Sequence, residues 1–412
     1  MDAFSQAFVS QKFSDYYVSH STTLPSPEAL SQRELAFFLF KERMMVRHRS
    51  AVNLNGLRRL IGDLQPSDVY YSCAYYENPE ADMDKKGWQG ADLVFDIDAD
   101  HIPTSCDKIH DEWTCKACGL CGTGSQPEKC SKCGGQKFDN KSWPCERCIA
   151  SAKDETTKLI DMLAKDFGLS EGDLHVFFSG HRGYHVHVET DAVRTLDPMA
   201  RKEMVDYITG SGLNLARKDN TVSARKTAPR AFSLHEAGRY GRLKQDMRKF
   251  IEEATKGALA NAGIKGVASN AILQYKKQVL DRCIDRGWWT SVNGVGDETW
   301  FKIAEYVTDL QISVIDTVVT TDIHRLIRMN GTLHGKSGLL KVEFPVKHLA
   351  DFDPFSEAVA FKEGTAKVTV SNAPQFRLGE TMFGPFTKEE VELPTAAAIL
   401  LICKGRAEAV KN

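Results

Sequence analysis

Asp96 and Asp98 sit at the end of an apolar run, Ala91-Asp-Leu-Val-Phe-Asp-Ile-Asp-Ala-Asp100. Leu93, Val94, Phe95 and Ile97 favour a buried strand. Side chains alternate along a strand, so carboxylates at i and i+2 leave the same face. Two such carboxylates repel unless a cation lies between them. A divalent ion of the Mg²⁺ or Mn²⁺ type suits the position, since it takes one or two carboxylates and completes its shell with water and substrate phosphates. Two further stretches could meet the phosphates. In Ser179-Gly-His-Arg-Gly-Tyr-His185 the glycines let backbone amides approach an anion, Arg182 offers a planar fork of donors, and Ser179 and His185 add hydrogen bonds. In Ile315 to Gly338, Arg325, Arg328, His334 and Lys336 recur at intervals that could reach one phosphate-bearing ligand. Asp316 is expected to end a strand there and to supply a third carboxylate, with Asp322 as its competitor. His187 is expected in the core, not as a ligand.

The cysteines carry different chemistry. Eight of the 11 lie between Cys106 and Cys148. In a chain without a secretory leader that clustering favours metal over disulfides. Cys-x2-Cys turns present two thiolates to one tetrahedral ion, and two turns close a structural Zn²⁺ site. The spacing suggests a ribbon from Cys115, Cys118, Cys130 and Cys133, enclosed by an outer site from Cys106, His110, Cys145 and Cys148. Cys121 is then spare, or replaces Cys115. Cys73, Cys283 and Cys403 stand alone and read as buried apolar residues.

The chain that must position these groups has 412 residues, enough for two or three domains of roughly 150 residues. Hydrophobic content of 42%, charged content of 26% and a net charge of −2 describe a soluble globular protein without a uniformly cationic coat. No apolar run approaches the ~20 residues of a membrane span. The N-terminal Met-Asp-Ala-Phe-Ser-Gln lacks a basic and apolar leader, so a cytoplasmic location is expected.

Residues 28 to 46, after Pro27, read as a helix, with Leu30, Leu35, Phe38 and Leu39 at helical spacing. Tyr70 to Tyr76 is β-prone, and Glu77 to Gly90 reads as a polar loop. Ala152 to Phe167 reads as a helix stopped by Gly168. Leu174 to Val188 reads as a hairpin around its glycine-bearing turn. Residues 195 to 310 turn to charged helical periodicity, as in Leu243 to Lys256 and Ala271 to Cys283. Gly294-Val-Gly296 reads as the turn leading into a helix, in preference to a helix-hairpin-helix contact. Strands are expected at Leu310 to Asp316, Leu340 to Phe344 and Ala366 to Val370, and a last helix after Pro394.

Phe95-Asp-Ile-Asp98 with the cysteine cluster behind it, Ser179 to His185, and Arg325-Leu-Ile-Arg-Met-Asn-Gly-Thr-Leu-His-Gly-Lys336 together resemble the catalytic small subunit of archaeal and eukaryotic DNA primase, most nearly its archaeal branch. Arg33-Glu34 and Val46-Arg-His48 fit the same family. The resemblance covers roughly residues 28 to 190 and 305 to 345. It implies an α+β (α/β) fold: a primase-polymerase core with mixed or antiparallel sheets flanked by helices over 1–100, 150–194 and 305–412. A zinc-binding insert is expected at 101–150 and a helical subdomain at 195–304.

The implied activity is primer synthesis on a single-stranded DNA template by two-metal nucleotidyl transfer. Carried over by position, Asp96, Asp98 and Asp316 would hold Mg²⁺ or Mn²⁺. Ser179, Arg182, His185, Arg328 and His334 would hold the incoming nucleoside triphosphate, with Arg47 and Lys336 nearby. A large, helical, iron–sulfur-containing subunit is the implied partner, and the archaeal nucleoid the implied location. The doubled cysteine insert exceeds the single zinc site of the family. Two other functions compete: a stand-alone repair primase-polymerase, and a non-catalytic zinc-ribbon subunit that binds nucleic acid. A paired-carboxylate mechanism requires no protein nucleophile.

Overall fold

The computed structural model describes residues 1–211, 238–286, 289 and 291–411. They form two compact units. The first comprises Met1–Thr157, Ser170–Lys202 and Val314–Asn412, and the second Lys158–Leu169 and Glu203–Ser313.

Eight strands build the centre of the first unit: β1 (Leu35–Leu39), β2 (Met45–Arg49), β3 (Pro66–Ser72), β4 (Leu93–Asp98), β5 (Leu174–Phe178), β6 (Gly183–Val188), β7 (Leu326–Arg328) and β8 (Val342–Phe344). They make two antiparallel sheets, ordered β7-β3-β1-β2 and β8-β5-β6-β4. The expected hairpin is β5 and β6, and the expected acidic strand is β4. Leu93, Phe95 and Ile97 are wholly buried, as a continuous apolar run requires. The β6–β4 register sets His185 opposite Asp96 and Gly183 opposite Asp98. Gly183 is obligatory there, because a Cβ would lie 2.3 Å from the Ile97 carbonyl oxygen.

The helix expected over 28 to 46 is not formed. A 3₁₀ turn at Leu30–Gln32 leads into β1, which lies between β3 and β2, and Leu35, Ala36 and Phe37 are wholly buried. The apolar spacing that fits a helix also fits a strand covered on both faces, and the sheet decides between them. The strand expected at Leu310 to Asp316 is likewise absent. Helix Asp297–Gln311 runs through Leu310, and Asp316 caps a short helix, Thr317–Thr321. The polar loop expected before Gly90 contains a short strand, Trp88–Ala91, paired with Ala74–Tyr76.

The N-terminal helix Ala3–Ser19 is capped by Asp2, whose Oδ1 accepts from the Ser5 amide. Its Tyr17 hydroxyl accepts from the Leu333 amide at 3.2 Å, and Tyr16 donates to the Gly331 carbonyl at 2.9 Å, tying down the loop after β7. A third sheet, Phe386–Pro394, Thr365–Ala373 and Ala407–Ala409, packs on the apolar closing helix Thr395–Cys403.

The second unit is helical, with Arg239–Glu252 and Asp297–Gln311 packed together and a π-helical segment at Val279–Asp285. The part of the expected helical subdomain at 212–237 lies outside the described residues. Gly296 caps helix Asp297–Gln311, as its reading as a helix-leading turn expects. The core gathers Leu243, Met247, Ile251, Trp289, Trp300 and Ile303. Trp300 is wholly buried, and its Nε1 donates to the Trp289 carbonyl at 2.7 Å. We expect Trp300→Ala to cost about 3–5 kcal/mol in equilibrium denaturation. Trp300→Phe, which mainly loses the hydrogen bond, should cost about 1–3 kcal/mol.

Candidate active site and metal centres

Asp96 and Asp98 are the breaks in the apolar run of β4. Their side chains are 27% and 35% exposed, whereas the intervening Ile97 is wholly buried. Asp316 joins them by a different route from the one expected. Its backbone amide donates to the Asp96 carbonyl at 2.8 Å, and its Oδ1 accepts from the amides of Val318 (2.9 Å) and Val319 (3.3 Å). An N-cap, not a strand end, therefore brings the third carboxylate to the site. The competitor, Asp322, uses Oδ1 to accept from His324 N in its own turn.

Burial pushes the Asp96 carboxyl up to about 7, and the neighbouring charges of Asp98 and Asp316 add to the rise. Asp98 is also raised, mainly by burial. Carboxylates so perturbed by burial and by one another fit the hard-oxygen donor set of Mg²⁺ or Mn²⁺. Among the described residues their oxygens do not all close within 4.8 Å of one another. That spacing suits an ion that keeps water and substrate oxygens in its shell.

A cavity of about 220 Å³ opens over Asp96 and Asp98, while Asp316 reaches the site through the Asp96 backbone and is not part of the lining. Its lining includes Asp96, Asp98, Ser179, His181, His185, Arg325, Arg328, His334 and Lys336. Most of the residues expected to meet a nucleotide are thus brought together. Ser179 Oγ accepts from the Gly183 amide at 3.2 Å. His185 Nε2 lies 3.5 Å from Asp96 Oδ1, and burial pushes this imidazole well below its ordinary range, so it is neutral. Arg328 is buried and is held by Asp68, by the Leu333 carbonyl (3.2 Å) and by the Tyr70 hydroxyl (3.2 Å). Asp68 also accepts from the Gly335 amide at 2.9 Å, fixing the loop that carries His334. His334 Nδ1 accepts from the Lys336 amide at 3.0 Å, which leaves Nε2 as the protonated nitrogen of a neutral ring. Its ring stacks on His181 at 5.2 Å. Lys336 is exposed, whereas His187 is wholly buried, as expected of a core histidine.

Two residues stand elsewhere. Arg47 does not line the cavity. It makes a two-point pair with Glu34 at 3.0 and 3.3 Å. Glu34 is wholly buried and also binds Lys86 Nζ (3.1 Å) and the His48 amide (3.1 Å). Burial would raise this carboxyl, but its three partners hold it below its ordinary value. The adjacency Arg33-Glu34 was visible in sequence, but Glu34's partners were not.

Arg182 is the larger departure. Its guanidinium, only 2% exposed, is occupied by carboxylates: Nη1 meets Asp111 Oδ2 at 2.8 Å and Oδ1 at 3.0 Å, and Nη2 pairs with Asp100. Arg182 does not line the cavity, and in this arrangement its fork is closed to phosphate.

The thiols fall into the two groups read from spacing. In the outer group the Cys106 sulfur lies 3.7 Å from that of Cys145, 3.5 Å from that of Cys148 and 3.4 Å from His110 Nε2. In the inner group Cys115–Cys133 and Cys118–Cys130 sulfurs are each 3.6 Å apart. Tetrahedral ligation with Zn–S bonds of ~2.3 Å requires S···S edges of about 3.8 Å. Both groups therefore fit such an ion and neither is a disulfide. Gly119 and Gly134, at φ +71°, complete the two knuckles of the inner group. Strands Cys121–Thr123, Glu112–Cys115 and Phe138–Lys141 form the ribbon around it. Cys121 is exposed and belongs to neither group.

Residues 136–346 match the family described as DNA primase small subunit. The chain is similar over nearly its whole length to proteins named DNA primase small subunit PriS. The one from Cenarchaeum symbiosum is 33% identical over 97% of this chain and 98% of its own length. Those from Nitrosopumilus maritimus and Methanococcoides burtonii are each 31% identical, over 96% and 99% of this chain and the same shares of their own lengths. With this identity and coverage, the chain belongs to the DNA primase small subunit family, the catalytic primase subunits of DNA replication.

Proposed function

We propose that this chain lays down short primers on single-stranded DNA by two-metal nucleotidyl transfer, working with a large primase subunit in the cytoplasm at the nucleoid. One observation carries the reading: a single cavity presents Asp96 and Asp98 together with Arg325, Arg328, His334 and Lys336. Divalent ions bound there would supply the Lewis acidity that nucleotidyl transfer needs at the attacking 3′-hydroxyl and the leaving pyrophosphate. Asp96, Asp98 and Asp316 would hold them in the ionised state. Arg328, its fork oriented by Asp68 and Tyr70, and His334, donating from Nε2, would take the triphosphate together with Lys336. Ser179 and His185 would complete that contact, His185 as a neutral donor that adds no charge beside the acids. Arg182 would brace Asp98 and Asp100 in place of touching phosphate, and Arg47 would lie at the margin. The thiol groups would hold two structural Zn²⁺ ions. No described helix is long and apolar enough to cross a membrane. Neither a stand-alone repair enzyme nor a non-catalytic zinc-ribbon subunit is favoured, since the similarity spans the full small subunit and all three acids are in place.

Asp96→Ala, Asp98→Ala and Asp316→Ala should each reduce template-dependent primer synthesis to background while leaving the circular dichroism spectrum unchanged. Asp322→Ala should remain active, and the reverse pattern would move the third ligand to Asp322.

Asp96 also predicts a pH effect on stability. Its carboxyl titrates at about 7 when folded, against 3.8 for the unperturbed group. The folded state therefore binds the extra proton between these values, and stability falls as pH rises through them. In a chelator-containing buffer, Asp96→Asn should melt several degrees above the parent at pH 8. The two should converge near pH 4, where both side chains are neutral. A melting difference independent of pH would refute the shift.

Elemental analysis should find two zinc equivalents per chain, one for each group. Cys118→Ser should lower this to one, and Cys121→Ser should leave it at two. A single equivalent in the parent would dismiss one of the groups.

A further inference from the structure

Asp111 follows the outer-group ligand His110 directly, is 8% exposed, and has every contact directed inward. Its Oδ1 accepts from His110 Nδ1 at 2.9 Å, from the Trp143 amide at 2.8 Å and from Arg182 Nη1 at 3.0 Å, while Oδ2 accepts from the same Nη1 at 2.8 Å. Arg182 runs on to Asp100 through Nη2. Its Nε is buried without a hydrogen-bond partner and lies 4.0 Å from Asp98 Oδ1. One continuous path of polar side chains thus joins His110 of the thiol group to Asp98 at the cavity.

We propose that Asp111 is a positioning residue that couples the outer metal group to the catalytic carboxylate Asp98 through Arg182. The proposal rests on the reading above in which Asp98 holds a catalytic ion. At one end, the Asp111 carboxylate holds the His110 ring with Nδ1 as donor and Nε2 free to ligate, as outer-shell carboxylates do for metal-bound histidines. At the other end the same carboxylate fixes Arg182, whose unsatisfied Nε–H is about 1 Å short of a hydrogen bond to Asp98. A buried unpaired donor is costly, so any ordering of Asp98 that closes this gap is favoured. Ordering Asp98 then tightens Arg182 on Asp111, and Asp111 on His110. Coupling of this kind is reciprocal: a ligand that steadies the acids must steady the metal group by the same factor.

The measurement is the rate at which zinc passes from the full chain to a chromogenic chelator, with and without Mn²⁺ and a nucleoside triphosphate, no template being present. One of the two zinc equivalents should leave about fivefold or more slowly when nucleotide is bound. Asp111→Asn keeps Oδ1 as acceptor for His110 and Trp143 but puts an amide donor against the guanidinium. It should retain both zinc equivalents, lose the nucleotide-dependent protection, and raise the nucleotide KM with a smaller effect on kcat. Asp111→Glu should recover part of the protection. If Asp111→Asn does not fold, Arg182→Lys, which cannot bridge Asp111 and Asp100 together, should lose the protection in the same way. Nucleotide that binds the parent, by fluorescence of a labelled analogue, without slowing zinc release would overturn the coupling alone. Failure to bind nucleotide at all would overturn the active-site reading beneath it. Weaker zinc retention in Asp111→Asn at an unchanged KM would restrict Asp111 to the metal group and end the proposal.

Discussion

Three carboxylates converge at one end of β4, and their mutual repulsion is the constraint that organises the structure around them. Burial of Asp96 would be tolerable for a neutral side chain, whereas the nucleotidyl transfer proposed for this site needs it ionised. The fold surrounds the acids with cationic side chains. Pairing each acid directly to a fixed arginine would neutralise the site and block the ion. Asp96 has neutral His185 beside it, its Nε2 3.5 Å from Oδ1, delivered by the β6 register. The cations Arg325, Arg328 and Lys336 line the cavity, and Arg328 is paired with Asp68 behind it. Gly183 allows β6 to lie close against the β4 backbone, since any Cβ there would strike the Ile97 carbonyl.

Three arginines read from the sequence as nucleotide contacts have carboxylates of their own. Asp68 holds Arg328, Glu34 holds Arg47, and Asp111 with Asp100 holds Arg182. Buried pairs of this kind add little net stability, because desolvation offsets most of the Coulomb gain. Their effect is geometric. Arg328, the one of the three that lines the cavity, is fixed by the partner behind it and so is kept from collapsing onto the acids in front. The same logic extends to the N-terminal helix, where Tyr16 and Tyr17 bind backbone groups of the loop that carries His334.

Signals carried by neighbouring residues were legible in the sequence. The i, i+2 acids, the glycine-bearing hairpin turn and the Cys-x2-Cys knuckles each specify geometry within a few residues, and all three stand where expected. Decisions made by distant partners were not legible. Leu35 to Leu39 fits helical and strand spacing alike, and only flanking by β3 and β2 settles it. Asp316 is followed by Thr317, Val318, Val319, Thr320 and Thr321, a β-branched run that argues for strand, yet its own side chain caps a helix there. Arg182 looked free for phosphate because Asp111, which claims it, is 71 residues away in the chain. Glu34 was visible only as a charge beside Arg33, its burial and its three partners being tertiary facts.

The insert behind β4 explains why so much of the site depends on sulfur. The chain leaves β4 after Asp98 and does not rejoin a long element until helix Glu146–Lys165. Between them, the buried apolar side chains other than thiol ligands are few, chiefly Ile102 and Trp143. A segment this short has little apolar surface to bury, and scaffolds below roughly 70–80 residues commonly add a structural metal or disulfides to a small core. The ion energy proposed for the two thiol groups would fill it here. Under the proposed function the placement bears on catalysis: Asp98 ends β4, Asp100 lies in the turn after it, and the Cys106 and His110 limb of the outer group follows in the chain. Losing that group would release the chain within a few residues of the carboxylates proposed to hold the catalytic ions. A module that looks peripheral by composition is therefore part of what holds the acids in register.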